Sequence, residues 1–370
     1  MVKSLLLVTD FYKPHTSGII TYIDLFIKTA KLKNIKITVL TNRINKEDKE
    51  VEYIEEVKII RCKPLLKISR GFYSIELLFK FIKISKNFDL INLHLPLAEL
   101  MPLIFFLKKN KSLLTYHCLP EYSYFSFSIL IKFYFYFFGI IAILKSTKII
   151  VLSKDYFQSI NFHNYFIKKI IEIPPYVKNQ IINHPKNKDD QYLKIGYLGR
   201  LSNEKGLENL INSSIKMRLK NIKHHLIIAG DDKDERFIKH INFLKKISST
   251  NKNIKFIGYI SDQNKHTFFK GIDLFVLPSI NSFEAFGIVQ LEAMSYGVPV
   301  LVSNIAGVRT IVKNTGGGIL FKNKDTDDLL KKIISFDKTK YKPEIIKVNL
   351  EKIYNKNKFE IAVFDLFKSF

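Results

Sequence analysis

Cysteine is nearly absent: Cys62 and Cys118 are the only two in 370 residues. Two cysteines build no disulfide framework and match no zinc-ligand spacing, which points to a reducing, cytoplasmic setting. A leader is not evident either. The first residues are apolar only briefly before Asp10, Lys13 and Pro14, which reads as a buried strand and not a signal peptide. Acidic residues are scarce, 34 against 59 basic ones, for a net charge of +25. No RNP signature, zinc spacing or recognisable helix-turn-helix accompanies that charge, so no nucleic-acid partner is expected. An anionic membrane surface attracts each nearby Lys or Arg by about 1 kcal/mol, so peripheral membrane contact stays open. A Lys-, Asn- and Ile-rich composition accounts for part of the excess. Disorder is excluded, because 47% of residues are hydrophobic and 25% charged.

Long apolar runs are missing with one exception. Phe125–Leu144 carries a single charge, Lys132, and is long enough to span a bilayer. Lys132 near its centre costs about 2.5–3.5 kcal/mol on insertion. A span would also separate motifs that have to meet. Two readings remain for 122–144: a thick core helix, or a helix whose aromatics lie in a membrane surface.

What is present is alternation. Short apolar runs (Ser4–Thr9, Ile35–Thr41, Val57–Arg61, Phe88–Leu93, Ser112–Tyr116, Lys148–Leu152, Lys169–Ile173) are separated by stretches of helical spacing such as Ile19–Leu32 and Phe72–Ser85. Repeated strand–helix–strand units imply an α/β protein with a parallel sheet covered on both faces. Pro174-Pro175 and a polar stretch interrupt the pattern, which then restarts at Leu193. The reading is an N-terminal Rossmann-like domain over 1–177, a linker over 178–192 and a C-terminal Rossmann-like domain over 193–344. A final helix, about 345–370, is expected to pack back on the first domain. In such doubly wound sheets ligands bind at the carboxyl ends of strands, and two facing domains make an interdomain cleft.

The richest stretch is Leu277–Pro299. A strand ends, a loop carries Glu284, and a helix starts near Gly287 and stops at Gly297 before Pro299. The N–H groups of Gly287, Ile288 and Val289 suit an anion. Glu284 and Glu292 can line one pocket, where carboxylate oxygens accept from sugar hydroxyls. Gly199–Leu207 follows another strand. Arg200 and Lys205 there can neutralise a diphosphate, which is what a nucleoside-diphosphate leaving group requires. His94 and His117 each end a strand of the first domain. Gly18, after Ser17, opens the first helix. Asp232-Lys233-Asp234 and Asp325-Thr326-Asp327 fit a D-x-D pattern, but the second reads as a capped helix start, and with two cations available no metal or cofactor is expected.

With these residues in view the chain resembles the GT-B retaining glycosyltransferases of family 4 (glycosyl transferases group 1), over nearly its whole length and most strongly from Gly199 to Pro299. The resemblance implies that Glu292 binds the donor ribose, Glu284 contacts the donor sugar, and Arg200 and Lys205 hold the diphosphate. It puts His117 near the transferring sugar, Gly18 near phosphate and acceptor, and the backbone of Tyr259–Ile260 against the base, with Ser17 and His94 on the acceptor side. It implies a hexose-type donor, a glycan or lipid-linked acceptor and work in envelope polysaccharide or lipopolysaccharide synthesis at the inner face of the cell membrane. Three departures stand out: Ser17-Gly18 for a usual Gly-Gly, Arg309 where an acid is usual, and Pro174-Pro175-Tyr176 for a usual Asn-Gly. A non-catalytic nucleotide-sugar-binding or scaffolding subunit is the alternative, and a same-fold epimerase a third.

Overall fold

The computed structural model describes residues 2–45, 47–68, 71–118, 128–160, 166–180 and 191–370. It divides into two compact units, Met1–Pro175 with Asn357–Phe370, and Tyr176–Lys356. The strands of the first unit are β1 (Ser4–Val8), β2 (Lys36–Asn42), β3 (Val51–Ile54), β4 (Val57–Cys62), β5 (Leu66–Ile68), β6 (Gly71–Tyr73), β7 (Leu90–Leu95), β8 (Ser112–Tyr116), β9 (Lys148–Val151) and β10 (Ile170–Glu172). Eight of them form one sheet in the order β10-β9-β8-β7-β1-β2-β4-β3, parallel except for β3 on β4. β5 and β6 pair separately. The central strand explains the pattern in the sequence: Leu5, Leu6, Leu7 and Val8 are all fully buried, as a strand covered on both faces must be.

The α-helices whose bounds fall among the described residues up to Pro175 are α1 (Gly18–Lys31), α2 (Ile75–Ser85), α3 (Leu100–Phe106), α4 (Ser128–Lys145) and α5 (Lys154–Gln158). Ser17 caps α1 by accepting from Ile20 N–H at 3.3 Å, and Ser74 caps α2 by accepting from Leu77 N–H at 3.1 Å. Ile20, Ile23, Phe26, Ile27 and Ala30 recur at helical spacing and are the buried stripe of α1.

The second unit holds β11 (Leu193–Leu198), β12 (His224–Ala229), β13 (Ile254–Phe256), β14 (Leu274–Leu277), β15 (Val300–Ser303) and β16 (Gly318–Phe321), in the order β13-β12-β11-β14-β15-β16 and all parallel. Its helices are α6 (Leu207–Leu219), α7 (Ile238–Ser248), α8 (Lys265–Lys270), α9 (Ile288–Ser295), α10 (Val308–Thr315), α11 (Thr326–Ile334) and α12 (Pro343–Ile353). Asp325 accepts from the N–H groups of Asp327 and Asp328, so that D-x-D run is a helix cap.

The C-terminal stretch corrects the expectation of one helix over 345–370. It is two helices in two units. α12 buries Ile346 and Leu350 beside α9 and α10. Pro343 lies so close to Gly297 that a Cβ on that glycine would sit 2.5 Å from the proline Cβ. After the break at Tyr354–Asn355, α13 (Lys356–Lys368) returns to the first unit, where Phe359 meets Tyr22 and Phe367 meets Phe26 edge-on, with centroids 5.9 and 5.7 Å apart. Two separate apolar stripes, one per helix, drive the split. Of the expected linker, 181–190 lies outside the described residues. So does 119–127, where part of the aromatic stretch 122–144 falls. No described helix is long and apolar enough to cross a membrane.

Candidate functional site

Each sheet reverses its winding once, between β1 and β7 in the first unit and between β11 and β14 in the second. Helices on the two sides of such a point diverge and leave room at the carboxyl ends of the central strands. In the second unit both sequence motifs arrive there. The loop after β11 carries Arg200 and Lys205, and the loop after β14 carries Glu284.

These two loops are packed together by backbone. Ile280 N–H donates to Glu204 C=O at 2.9 Å. Gly206 has φ 64°, and a Cβ there would lie 2.1 Å from the Pro278 carbonyl oxygen, so only glycine fits. The close approach delivers the Lys205 ammonium to the Glu284 carboxylate, a half-buried ion pair. Ser279 Oγ donates to the same Oε2 at 3.3 Å. Arg200 is held from two sides. Its guanidinium lies 3.8 Å from the buried Glu204 carboxylate and over the Phe283 ring at 5.8 Å. Tyr197 Oη donates to its carbonyl at 2.7 Å. Ser202 Oγ donates to Glu204 at 2.6 Å. Glu204, Gly206 and Ser279 are participants that sequence reasoning left unassigned. Glu204 was visible beside the two cations, but only packing distinguishes it from a surface acid.

α9 begins at Ile288, against an expected start near Phe286–Gly287. Gly287 is its cap in the left-handed region, φ 78°, and a Cβ would meet Gln290 Nε2 at 2.5 Å and Leu277 at 2.8 Å. Ile288 and Val289 form the first turn, where N–H groups have no partner within the helix. Glu292 stands further along α9. Its Oε1 accepts from Lys265 Nζ of α8 at 2.9 Å, and Lys265 also pairs with Asp262 at 2.9 Å. Lys265 is a residue the sequence gave no reason to single out. Tyr259 and Ile260 follow β13 on an exposed loop, with Tyr259 68% exposed after Gly258 at φ 73°. Asp232 pairs with Lys245 at 2.7 Å and Asp234 with Arg236 at 2.6 Å, so that D-x-D run is spent on ion pairs. Among the described residues no three His, Cys, Asp or Glu side chains are grouped to hold a metal.

In the first unit β7 and β8 run in register, His94 opposite Thr115, and this brings the two histidines together. His94 Nδ1 and His117 Nε2 are 2.9 Å apart in stacked rings, both buried, with the edge of Tyr22 against His117. Burial pushes the His117 imidazole down to about 3 and His94 well below the usual range, so both are neutral. Ser17 is occupied as a helix cap and Gly18 opens α1. Nearby, Asp10 at the end of β1, Asn42 and Glu99 form a buried network. Asn42 Nδ2 donates to Asp10 at 3.0 Å and to Glu99 at 3.3 Å, and Ser74 N–H donates to Glu99 at 2.7 Å. Burial, with hydrogen bonds opposing it, raises Asp10 to about 8 and Glu99 to about 7.

Comparison with known families matches residues 178–352 to glycosyl transferases group 1. The match falls within the second unit, Tyr176–Lys356. The chain is 28% identical over 178 residues to a capsular polysaccharide biosynthesis glycosyltransferase of Staphylococcus aureus, covering 44% of this chain and 45% of that one. The chain spans less than half the length of the curated relatives it matches first. Among solved structures, sucrose-phosphate synthase of Thermosynechococcus elongatus superposes with a TM-score of 0.80 at 18% identity, over 99% of this chain and 98% of that one. An Anabaena protein, HepE, in complex with UDP and glucose superposes with a TM-score of 0.71 at 16% identity over 100% of both chains. The chain therefore has the GT-B fold.

Proposed function

We propose that this chain is a family 4 retaining glycosyltransferase that takes a hexose-type sugar from a nucleoside-diphosphate donor. Its acceptor is a glycan or lipid-linked saccharide in envelope polysaccharide or lipopolysaccharide synthesis, met at the inner face of the cell membrane. The observation that carries the reading is the Lys205–Glu284 pair beside Arg200, at the switch point of the unit that matches group 1 and next to the α9 start. Two cations and a helix amino end are the equipment for a diphosphate. The UDP and glucose held by the Anabaena structure and the capsular role in the Staphylococcus relative's name support donor and pathway class.

In this reading Arg200, Lys205 and the first N–H groups of α9 take up the charge that grows on the β-phosphate as the bond to the anomeric carbon breaks. The acceptor hydroxyl attacks that carbon from the face the diphosphate leaves, and its proton passes to a phosphate oxygen. Glu284 sets Lys205 through Oε2 and meets the sugar through Oε1. Glu292, oriented by Lys265, accepts from the ribose hydroxyls, and Tyr259–Ile260 lie against the base. His117, neutral, meets the sugar as a hydrogen-bonding group and not as a cation; Gly18 serves the phosphate and acceptor. Two fixed cations do the work a metal does in other transferases.

The test is a thermal-shift screen with UDP-, GDP-, ADP- and dTDP-sugars, followed by transfer of label from the stabilising donor into a membrane extract. A raised midpoint with transfer is expected. No stabilisation by any donor overturns the reading, and stabilisation without transfer replaces it with a binding subunit.

A further inference from the structure

α3 and α4 lie side by side in the first unit. Tyr134 Oη accepts from Met101 N–H at 3.1 Å and donates to Ala98 C=O at 2.8 Å, which ties their leading ends. Lys145 Nζ donates to Ile104 C=O at 3.1 Å and ties their trailing ends. The inner side of this platform is buried through Leu103, Ile104, Ala142 and Ile143. The outer side carries Phe105 at 67% exposure, Phe133 at 64%, Leu144 at 53%, Phe137 at 46% and Phe106 at 45%. Phe133 and Phe137, one turn apart, stack with centroids 5.9 Å apart and planes 10° from parallel. A contiguous face of this kind marks an interaction surface, whereas single exposed apolar residues do not.

The charge around the face selects its occupant. In the sequence from Leu100 to Val151 there are six lysines (108, 109, 111, 132, 145 and 148) against one acid, Glu121, and Glu99 just before it is fully buried. Lys108 is exposed at the end of α3, and the Lys145 ammonium lies 5.6 Å from the centre of the Phe105 ring. A second copy of this basic chain would set like charge against like. An anionic bilayer offers the opposite charge and acyl chains together. We infer that the outer face of α3 and α4 docks on an anionic lipid bilayer, with the phenylalanine rings in the headgroup–acyl boundary and the lysines among the phosphates. The inference rests on the membrane-acceptor part of the proposed function and not on its donor chemistry.

The chain has no tryptophan, so a single one reports its own surroundings. F133W and F105W, each in the full chain, are mixed with vesicles of phosphatidylcholine alone or with phosphatidylglycerol, carrying brominated acyl chains. L219W, on α6 of the other unit at a position 71% exposed, is the control. Flotation with anionic vesicles is expected, with quenching at 133 and 105 and none at 219. The triple variant F105S/F133S/F137S should bind at least tenfold more weakly, while its donor-induced thermal shift stays that of the parent. The inference is overturned if the chain does not float with anionic vesicles, or if positions 133 and 105 are not quenched when it does. Equal quenching at 219 means adsorption without this face and also overturns it. So does a blue shift of F133W that follows protein concentration without lipid, which assigns the face to self-association. Loss of the donor shift in the parent would sink the transferase reading and leave the docking result standing.

Discussion

The Lys205 ammonium reaches the Glu284 carboxylate across two loops that leave neighbouring strands, β11 and β14. Residues 79 positions apart thereby share one charge balance. Each holds the other in place, so on the proposed reading the cation is already positioned for a diphosphate.

Lys205→Ala is expected to lower sugar transfer about a hundredfold or more, the scale for removing one charge that stabilises a leaving group. Steady-state rates with the donor found in the thermal screen measure it. A near-parental rate would remove Lys205 from the reaction.

Gly206 and Gly316 share a left-handed backbone, φ 64° and 65°, but differ in surroundings. Gly316→Ala meets nothing within 4 Å and should cost about 1–2 kcal/mol from backbone alone. Gly206→Ala must also displace the Pro278 carbonyl, so its midpoint should fall further and its donor-induced shift should shrink. Equal melting losses would show that the two loops are not held together by this contact.

Stability should depend on pH through Asp10. Its folded carboxyl titrates near 8 against 3.8 for the ordinary group. The folded state binds this proton more tightly, so the stability it contributes is full below about pH 4 and is lost as pH rises toward about 8. Glu99 adds a smaller term of the same sign up to about 7. Asp10→Asn should flatten the fall in melting midpoint between about pH 4 and about pH 8; an unchanged slope would contradict the buried network.

The histidine pair acts in the other direction. His117 titrates near 3 when folded and near 6.5 as an ordinary imidazole. The unfolded chain takes up the proton first, so stability drops as pH falls from about 6.5 toward about 3. No limb of the rate profile between about pH 5 and about pH 8 should belong to His117. A histidine resonance assigned to position 117 that titrates in that window would refute the neutral pair.

Chelation separates the two ways of holding a diphosphate. If Arg200 and Lys205 supply the positive charge, as proposed, transfer should be unchanged in excess EDTA. Loss of activity that magnesium or manganese restores would assign the charge to a metal.

The strands of both sheets were legible because parallel strands buried on two faces leave unbroken apolar runs, as in Leu5–Val8 and Leu274–Leu277. β3 was not, since Val51–Ile54 is an edge strand that alternates exposed and half-buried residues. β16 was not, since it is four residues beginning at Gly318. The Glu284 loop and the Arg200/Lys205 loop were legible as motifs because glycines and charges sit at fixed offsets from strand ends. Their pairing was not, because it depends on Gly206 lying against Pro278. Lys265, Glu204 and the Asp10–Asn42–Glu99 network gave no local signal: a lysine, two glutamates and an aspartate look alike on a solvated surface and in a buried bond.

Local chain chemistry was enough to dictate the alternation of strand and helix, the restart after Pro174-Pro175 and the kinds of residue at the strand ends. Those follow from periodicity and backbone preference, which act over a few residues. Which side chains touch, which carboxyls keep a proton and how the last 26 residues divide between the two units were decided by folding. Such outcomes depend on distances between segments far apart in the chain and on the exclusion of water from them, and neither is written in any short stretch of it.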